Sequence, residues 1–466
     1  GRIVQFGFGA VGKSFYEKIS KEIKFNENKY FVITMDKFEF DAYVNLGGIV
    51  SNFIVSEVTR DNFKEVFAPY LSEGDLLIDF ADTVGTKDFC EWCAENNIMY
   101  LNTGEADWPD HWYSIFEENE LKCGIKEKHA KSENTNKYPI VLQHGNNPGL
   151  VSHFVKAAIE YIVNTQFKKD KRLKDLLKTD KFNEAAALLG IKMIHVNDID
   201  LQEVKGDYND EILFSTWCTD SFWFEMLSEA TANIGMHEKI DYKECRTIYP
   251  GGNFEGFLVP HEETITIAKS LEVKAGEKVS YRPTVMFIYL PCTYASNYFS
   301  NAKVNVYPNP DPNKPQDVDN ENGTSIIRGY VYPKNFEILY QEKISQGTEY
   351  VGVLLMGDNF EPVWVGNRVE TSFLNKDKKT SYWQTPTITP VAMSALAAVC
   401  WMLKNKDRGG IYFPDDIPDY KYIINIAEKY ISKTIYKTYT KSELEDAMQI
   451  DFDNLQMKDF FFFLKT

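Results

Sequence analysis

Short apolar runs alternate with segments of helical periodicity over the first 145 residues, and this alternation constrains the fold more than any other feature of the chain. Continuous apolar strands that are separated by helices indicate a parallel sheet covered on both faces. The pattern therefore predicts an α/β domain with a doubly wound parallel sheet of the Rossmann type over residues 1–145. The apolar runs are 2–8, 30–36, 53–58, 75–81, 98–104 and 138–145.

The hexapeptide GFGAVG, residues 7–12, lies where the first apolar run gives way to a helical segment. Gly7, Gly9 and Gly12 fit the spacing G-x-G-x-x-G. In that pattern the first glycine permits a tight turn, the second lets the backbone approach a pyrophosphate, and the third lets the helix pack closely on the strand. The N–H groups at the helix N-terminus then face the phosphates. Strand, turn and helix together predict a nicotinamide dinucleotide site, and a glycine turn in an unrelated βα unit is the alternative.

Polar residues at the carboxyl ends of the other strands extend this prediction, because ligands of doubly wound sheets bind there. Asp36 ends the second run, and an acidic side chain at that point accepts hydrogen bonds from ribose hydroxyls and repels a 2′-phosphate, which favours NAD over NADP. Asp82 and Thr83 follow the fourth run, and Thr103 and Glu105 follow the fifth. From its position alone, Glu105 either faces the nicotinamide or is a solvated loop residue.

From residue 146 to residue 383, polar connections separate runs of aromatic and β-branched residues. We expect strands at 264–273, 284–290 and 350–357. The segment 146–383 is therefore predicted to be a second, α+β domain with a large mixed sheet, which carries the substrate site. Within it, the stretch 305–325 is rich in Pro, Asn and Asp and predicts a surface loop.

The last part of the chain, 384–466, is predicted to form helices that pack back on the first domain. Within it, 389–405 is strongly apolar and is expected to be a buried helix.

The formal net charge of −17 disfavours a nucleic-acid partner, whose phosphates need Lys and Arg, and it is compatible with a cationic substrate. The chain has no apolar run long enough for a membrane span and no signal-peptide pattern at its start, so we expect a cytoplasmic location. Seven scattered cysteines argue against a disulfide framework. Cys90 and Cys93 have redox or metal spacing, but no second pair follows, so we interpret them as one helix face and predict no metal.

Residues 198–238 contain ten Asp or Glu, six aromatic residues, one Lys and no Arg. A pocket for an amino acid or keto acid usually needs Arg to hold the carboxylate. An acidic and aromatic pocket suits an alkylammonium, because carboxylates pair with the charged head and a Trp face attracts a cation. An ordinary acidic surface whose aromatic residues lie in the core is the alternative interpretation.

The turn Asn147-Pro148-Gly149 joins the two halves and opens a helix. Asn147 either orients a substrate or the nicotinamide, or it only caps the helix. Ser152 and His153 follow on that helix, and nothing in the sequence gives His153 an Asp partner. We therefore reject a Ser-His-Asp hydrolase.

Six motifs follow one another along the chain: GFGAVG (7–12), NTGEADW (102–108), HGNNPGLVSHFVK (144–156), IHVNDIDLQ (194–202), STWCTDSFWFE (215–225) and GMHE (235–238). Taken in this order, they resemble the motifs of the bacterial homospermidine synthases, which are relatives of saccharopine dehydrogenase. The later pieces FLVPHEETITIA, YRPTV…YLPC, GVLLMG and ITPVAMSALAAVCWML are also similar, so the resemblance covers most of the chain.

The resemblance implies a homodimeric transferase of polyamine biosynthesis that joins two diamines with bound NAD. An aminobutyl group of putrescine would pass to a second putrescine, or to spermidine, through imine intermediates, with a hydride passed to NAD and returned. The cofactor-binding residues that we predict are Gly7, Phe8, Gly9, Ala10, Val11, Gly12, Asp36, Asp82, Thr83, Thr103, Asn147, Gln384 and Thr387.

Matched motif by motif, the resemblance also implies roles for five catalytic residues. Glu105 is similar to the acidic residue that faces the active site, and Asn147 to the turn asparagine near the reacting centre. Asp198 stands where the family usually has Glu. Trp217 resembles the tryptophan that holds the cationic intermediate against its ring, and Glu225 resembles the carboxylate that anchors an amino group.

The chain departs from the family pattern at Met286 and Leu290, where His is expected, and at QTPTIT, residues 384–389. Two other functions stay open. One is NAD(P)H-dependent reductive amination of the saccharopine or carboxynorspermidine dehydrogenase type, and the other is a non-catalytic NAD-binding regulator. The first needs an Arg from outside 198–238, and the candidates are Arg246, Arg282, Arg328 and Arg368.

Overall fold

Two seven-stranded sheets organise the chain in the computed structural model. The structure describes residues 1–82, 84–108, 124–127, 136–206, 212–227, 232–239, 256–301, 318–319, 324–327, 330–331, 335–374, 381–448 and 450–456.

The first sheet begins at the N-terminus, and its strands follow the predicted apolar runs closely. Helices connect most of these strands, with the apolar face of each helix turned to the sheet. The strands are β1 Ile3–Phe6, β2 Tyr30–Thr34, β3 Phe53–Val55, β4 Leu76–Asp79, β5 Met99–Asn102 and β6 Pro139–Val141. The helices are α1 Ala10–Glu22, α2 Phe40–Asn45, α3 Phe63–Phe67 and α4 Thr86–Glu95.

The second domain is built on a sheet of long central strands with small two- and three-stranded sheets beside it. Its strands are β7 Ile191–Asp200, β8 Glu203–Val204, β9 Ile212–Ser215, β10 Ala232–Asn233, β11 Phe257–Leu258, β12 Val273–Ala275, β13 Lys278–Tyr281, β14 Thr284–Leu290, β15 Val318–Asp319, β16 Thr324–Ile327, β17 Tyr330–Val331, β18 Asn335–Ile338, β19 Ile344–Gln346, β20 Thr348–Gly357 and β21 Val363–Glu370. Its helices are α5 Leu150–Gln166, α6 Lys171–Lys178, α7 Phe182–Leu189, α8 Asp220–Leu227, α9 Glu263–Ser270, α10 Thr293–Asn301 and α11 Thr371–Leu374.

The last part of the chain contributes to both sheets. Strand β22 lies beside β6 in the first sheet, and β23 pairs with β21 in the second sheet, so this part contains strands as well as the predicted helices. The predicted buried helix is confirmed as α12, which packs on α1 and α13. The elements are α12 Ile388–Lys404, β22 Gly410–Tyr412, α13 Tyr420–Ala427, β23 Ile435–Thr438 and α14 Lys441–Met448.

The strand order of the first sheet is β22-β6-β5-β4-β1-β2-β3, and every neighbouring pair is parallel. The chain starts in the middle of this sheet, runs outward to β3 and returns to β4 on the other side of β1. That reversal defines the doubly wound fold and opens a crevice at the carboxyl ends of β1 and β4. The predicted parallel α/β sheet is confirmed.

The second sheet has the order β10-β14-β7-β20-β21-β23, with β11 also paired to β14. It mixes parallel and antiparallel pairs, since β14 runs parallel to β7 while β20 runs antiparallel to it. The predicted α+β domain with a large mixed sheet is confirmed, as are the strands expected at 284–290 and 350–357. Of the predicted loop 305–325, almost all lies outside the described residues.

The strand predicted at 264–273 is wrong, because residues 263–270 form helix α9 and only 273–275 form a strand. Its β-branched residues favour a strand locally, but every residue from Glu263 to Ala268 is buried. Packing of a segment buried on all sides outweighs an intrinsic preference that amounts to about 1 kcal/mol per residue at most. The two acidic residues at 262 and 263 also favour a helix start, since carboxylates interact well with the N-terminal end of the helix dipole.

Among the described residues, no helix combines the length and the apolar character that crossing a bilayer requires.

Candidate active site

The glycine turn between β1 and α1 has the conformation that its sequence predicts. Gly7 has φ of 86°, and its N–H donates to the Ile33 carbonyl at 2.8 Å. The buried Gln5 side chain donates from Nε2 to the carbonyl oxygens of Gly7 and Gly12, at 2.9 and 3.1 Å. The turn is therefore held from inside the sheet.

The space around the three glycines differs in a way that suits a bound phosphate. A Cβ on Gly12 would lie 2.6 Å from the Gly7 carbonyl oxygen, so that position packs helix on strand. A Cβ on Gly9 would meet nothing within 4 Å. Gly9 is also the N-cap of α1, without a side-chain cap and without an acidic residue in the first turn. The N-terminus of α1 thus offers N–H groups and room for an anion.

The other predicted cofactor residues of the first domain lie at the expected strand ends. Asp36 follows β2, is exposed, and accepts a hydrogen bond from the Phe38 N–H at 2.7 Å. Phe8 packs its ring against Tyr16 and Tyr43, so it can meet a cofactor only through its backbone. Ala10 and Val11 begin α1, Asp82 follows β4 and Thr103 follows β5, whereas Thr83 lies outside the described residues.

Gln384 and Thr387, the two late residues of the predicted cofactor set, contact different parts of the protein. Gln384 accepts from Ser14 at 2.8 Å and donates to Glu17 at 3.0 Å, which joins the start of α12 to the cofactor helix α1. Thr387 accepts from Gln202 Nε2 at 2.7 Å, and the same Nε2 donates to Asp200 at 3.0 Å. Thr387 therefore lies beside the acidic side chains of the second sheet. The cofactor role of Gln384 and Thr387 stays a prediction.

Three carboxyl groups lie on one face of the second sheet. Asp198 and Asp200 are two residues apart on β7, and Glu349 of β20 is the register partner of Asp200. Their exposures are only 7%, 1% and 2%. Asn147 donates from Nδ2 to Oδ2 of Asp198 at 2.8 Å, so the turn that joins the domains reaches this acidic face.

Burial controls the protonation of these three groups, because a charged carboxylate loses its hydration there. Burial raises the pKa of Asp200 to about 7 and raises the pKa of Glu349 well above its ordinary value, with Asp198 and Asp200 adding to the shift at Glu349. Burial also raises the pKa of Asp198, against the hydrogen bonds from Glu349 and Asn147. Glu349 therefore favours its protonated form beside Asp198 and Asp200.

A second cluster of charged side chains surrounds His261, which immediately precedes the two acidic residues at the start of α9. Its Nδ1 hydrogen-bonds Glu263 and lies 3.6 Å from Glu262, and its Nε2 lies 3.5 Å from Glu225 on α8. The imidazole stacks on the Phe287 ring, with 3.9 Å between ring centroids. His261, Glu262 and Glu263 place ligand atoms within 4.8 Å of one another, a spacing that could hold a metal ion.

The charges around His261 fix its protonation and that of Glu225. Burial alone would lower the pKa of His261, but Glu263, Glu225 and Glu262 together raise it to about 10. Burial raises the pKa of Glu225 to about 8, although the His261 charge favours the carboxylate. At neutral pH His261 is thus an imidazolium that cannot act as a base, while Glu225 titrates close to neutral pH.

Glu105 connects the first sheet to this cluster. Its backbone N–H donates to Oε1 of Glu262 at 2.8 Å, and its own carboxylate accepts a hydrogen bond from the Gln143 amide. Gln143 is fully buried and has φ of 59°, a conformation that side-chain-bearing residues rarely adopt and that is found most often at functional sites. Glu105 is thus hydrogen-bonded rather than a freely solvated loop residue, and its orientation toward the nicotinamide stays a prediction.

Trp217 lies two residues after the end of β9 and is half-buried. The next residue, Cys218, donates from Sγ to Oδ2 of Asp82 at 3.1 Å, so the strand end of β4 and the Trp217 segment meet. Burial raises the pKa of the Cys218 thiol to about 12, which keeps the donor proton in place. The structure therefore brings the segment that contains Trp217 next to the loop after β4, and Glu225 follows on α8.

The residues considered for other chemistries have structural roles. His153 Nε2 lies 2.8 Å from Nε2 of His144, and burial lowers the pKa of both, so this pair is neutral and is not part of a hydrolase triad. Arg282 donates to the Ile234 carbonyl and to Glu272, and Arg368 pairs with Glu370, whereas Arg246 and Arg328 lie outside the described residues. Met286 is buried on the face of the second sheet opposite Asp198, and Leu290 follows on the same strand with the same parity.

Six residues of this site were not predicted from the sequence: Gln143, Asp200, His261, Glu262, Glu263 and Glu349. Two signals were available. Lone charged residues inside apolar runs, such as Glu349 in TEYVGVLLMG, mark buried charges that need partners. The string PHEETI combines a proline, a histidine and a pair of carboxylates, but we interpreted its continuation as a strand.

Comparisons with known proteins agree with this architecture. Residues 3–138 match the family described as the saccharopine dehydrogenase NADP binding domain. Over 483 residues the chain is 26% identical to the homospermidine synthase of Mesorhizobium japonicum, which covers 94% of this chain and 91% of that protein. It is also 26% identical over 471 residues to the homospermidine synthase of Blastochloris viridis, with coverages of 93% and 90%.

Two solved structures share the fold. The homospermidine synthase of Legionella pneumophila in complex with NAD has a TM-score of 0.75 at 23% identity, covering 94% of this chain and 91% of that one. Apo saccharopine dehydrogenase (L-Glu forming) from Saccharomyces cerevisiae has a TM-score of 0.52 at 10% identity, covering 94% of this chain and 100% of that one.

A parallel sheet with a glycine turn at its switch point, joined to a mixed sheet with an acidic face, defines an NAD(P)-binding α/β protein whose first domain matches the saccharopine dehydrogenase NADP binding domain. Over more than nine-tenths of its length, the chain is similar to homospermidine synthases.

Proposed function

We propose that this protein is a homospermidine synthase that transfers an aminobutyl group from putrescine to a second putrescine or to spermidine, with NAD as a redox-neutral hydride carrier. The observation that carries the proposal is the concentration of buried carboxylates at the crevice of a nucleotide-binding sheet. An alkylammonium has a pKa of about 10.4, so a diamine reaches the site as a dication and needs such groups.

The residues present fit an NAD molecule. The open space at Gly9, the uncapped N-terminus of α1 and the acidic Asp36 after β2 correspond to pyrophosphate and ribose contacts. Bound NAD would supply the hydride-accepting and hydride-donating chemistry of the reaction. Asp36 favours the cofactor without a 2′-phosphate, as the sequence predicted.

The protein side chains would bind and orient the amines. Asn147 donates to Asp198 and favours its ionised form against the effect of burial, and in that form Asp198 would pair with an ammonium head. Trp217 offers an aromatic face to a cationic imine, which the ring quadrupole stabilises. Glu105 stands at the first-domain wall of the same crevice.

The same carboxylates would also accept the protons that the amines lose. An amine carbon can give up hydride only after its nitrogen has lost a proton, and the acceptor must have a pKa near the working pH. Glu225, with a pKa of about 8, meets that condition. His261 stays charged with a pKa of about 10 and keeps the neighbouring Glu263 carboxylate in place.

One assay tests this function against both alternatives. Purified protein is incubated with putrescine and a catalytic amount of NAD, and we expect homospermidine and ammonia to form without net NADH. Stoichiometric NADH consumption with a keto acid or an aldehyde would support reductive amination instead. Bound NAD without any product would support a regulator.

Two alanine substitutions distinguish the glycine that leaves room for the cofactor from the glycine that lets the helix pack on the strand. We expect Gly12→Ala to lower stability by about 2 kcal/mol, because its methyl group would lie 2.6 Å from the Gly7 carbonyl oxygen. Gly9→Ala should fold normally, since nothing lies within 4 Å of the new methyl group, but should weaken NAD binding by about tenfold. Thermal unfolding and calorimetric NAD titration measure the two effects, and unchanged NAD affinity in Gly9→Ala would contradict the assigned pyrophosphate position.

A further inference from the structure

We infer that Glu262 is a positioning residue that holds the loop carrying Glu105 against the second domain, an inference that rests on the proposed function. Glu262 is 7% exposed and accepts the Glu105 N–H at 2.8 Å across a sequence separation of 157 residues. Glu105 lies on the loop after β5, whereas Glu262 immediately precedes α9 of the second domain. The hydrogen bond therefore joins a loop of the first domain to the start of a helix in the second domain.

The Glu262 carboxylate uses both oxygens in this arrangement. Oε1 accepts from the Glu105 backbone, and Oε2 lies 3.6 Å from Nδ1 of the His261 imidazolium. Because His261 in turn lies 3.5 Å from Glu225, the loop position is linked to a proposed substrate-binding carboxylate. Hydrogen bonds to a charged acceptor are about twice as strong as neutral ones, so a carboxylate suits this bridging role.

Residues on either side of Glu105 make hydrogen bonds within the first domain. Asn102 donates to the Gly104 carbonyl at 2.6 Å, the Ala106 N–H donates to Thr86 at 3.1 Å, and the Trp108 indole donates to Asp88 at 2.6 Å. These contacts set the two ends of the loop. Glu262 contacts its middle, where the Glu105 side chain turns toward Gln143.

Removal of the Glu262 carboxylate would leave the Glu105 N–H without this acceptor and free the middle of the loop to move. A displacement of about 1 Å in a catalytic group can lower turnover by about 100-fold. We expect Glu262→Ala to lower kcat for putrescine by about 10- to 100-fold while the Kd for NAD changes less than threefold. Glu262→Gln should recover most of the activity, because its amide oxygen can accept the same hydrogen bond.

Hydrogen exchange provides a readout that does not depend on catalysis. In the full-length protein, we expect the peptide spanning 102–108 to exchange at least tenfold faster in Glu262→Ala and close to the wild-type rate in Glu262→Gln. The matched control is Glu272→Ala, which removes a carboxylate just after the same helix, one that pairs with Arg282 at 3.1 Å. It should change neither exchange in the loop nor kcat. If Glu262→Ala does not fold, Glu262→Met replaces it as a variant of similar size that lacks an acceptor.

Wild-type exchange and wild-type kcat in a folded Glu262→Ala or Glu262→Met protein would overturn the inference. Faster exchange with an unchanged kcat would also overturn it, since the contact would then be merely structural. If the wild-type protein makes no homospermidine, the proposed function fails, and a wild-type exchange rate in these variants would still show separately that Glu262 does not hold the loop.

Discussion

Trp217→Ala is expected to lower kcat/KM for putrescine by about 30-fold or more while leaving the Kd for NAD within threefold of the wild-type value. A desolvated cation over an indole face is stabilised by about 2 kcal/mol, and each 1.4 kcal/mol corresponds to a tenfold change. Trp217 is half-buried, and its neighbour Cys218 contacts Asp82 at the crevice of the first sheet. We expect the ring to face a cationic imine, and this variant tests that role.

Two further variants separate recognition from packing. Trp217→Phe keeps an aromatic face and should retain more activity than the alanine variant. Trp364→Ala removes another half-buried indole, on the opposite face of the second sheet, and should affect stability more than kcat/KM. Steady-state kinetics and NAD titration decide between the outcomes, and an equal loss of turnover and of NAD affinity in Trp217→Ala would show a structural role.

Glu225→Gln should lower kcat/KM for putrescine by about 10- to 100-fold and should remove a pH dependence that the wild-type protein shows. Burial raises the pKa of Glu225 to about 8, so its carboxylate forms progressively as the pH approaches that value. The amines of the substrate stay protonated throughout this range. Wild-type kcat/KM should therefore rise from pH 6 to pH 8, because only the ionised carboxylate pairs with an ammonium or accepts its proton.

The pH profile distinguishes this role from a general loss of charge. Glu272→Gln neutralises a carboxylate that pairs with Arg282 away from the site, and it should keep the wild-type profile. If Glu225→Gln still shows the same rise between pH 6 and pH 8, another group controls it, and the near-neutral carboxyls of the second sheet, Asp200 in particular, would be the next to test.

Local patterns account for the parts of the fold and site that the sequence predicted well. The parallel sheet follows from apolar runs that must be buried on both faces, and the glycine turn follows from steric rules that concern six adjacent residues. Asn147 and Asp198 were assigned to the site through the resemblance, and in the structure Nδ2 of Asn147 lies 2.8 Å from Oδ2 of Asp198. Neither residue type nor spacing could give that distance, since 50 residues separate them in the chain.

The failures have one physical origin, which is burial by distant segments. The run 264–273 favours a strand through its β-branched residues, yet α9 forms because its residues are enclosed on all sides. In the sequence, Glu349 is a single acidic residue at the start of an apolar strand. Only the strand register places it opposite Asp200 in a buried position, where its pKa is raised. His261 was overlooked because its charge depends on three carboxylates that packing brings around it.

By itself the sequence determined the doubly wound sheet, the glycine turn at residues 7–12 and the acidic, arginine-free character of residues 198–238, because short-range sterics and composition govern these features. The tertiary structure alone decided which carboxylates meet, which of them keep their protons and which contact crosses from Glu105 to Glu262. Those properties depend on desolvation and on distances of a few ångströms between remote segments, and a linear pattern contains neither.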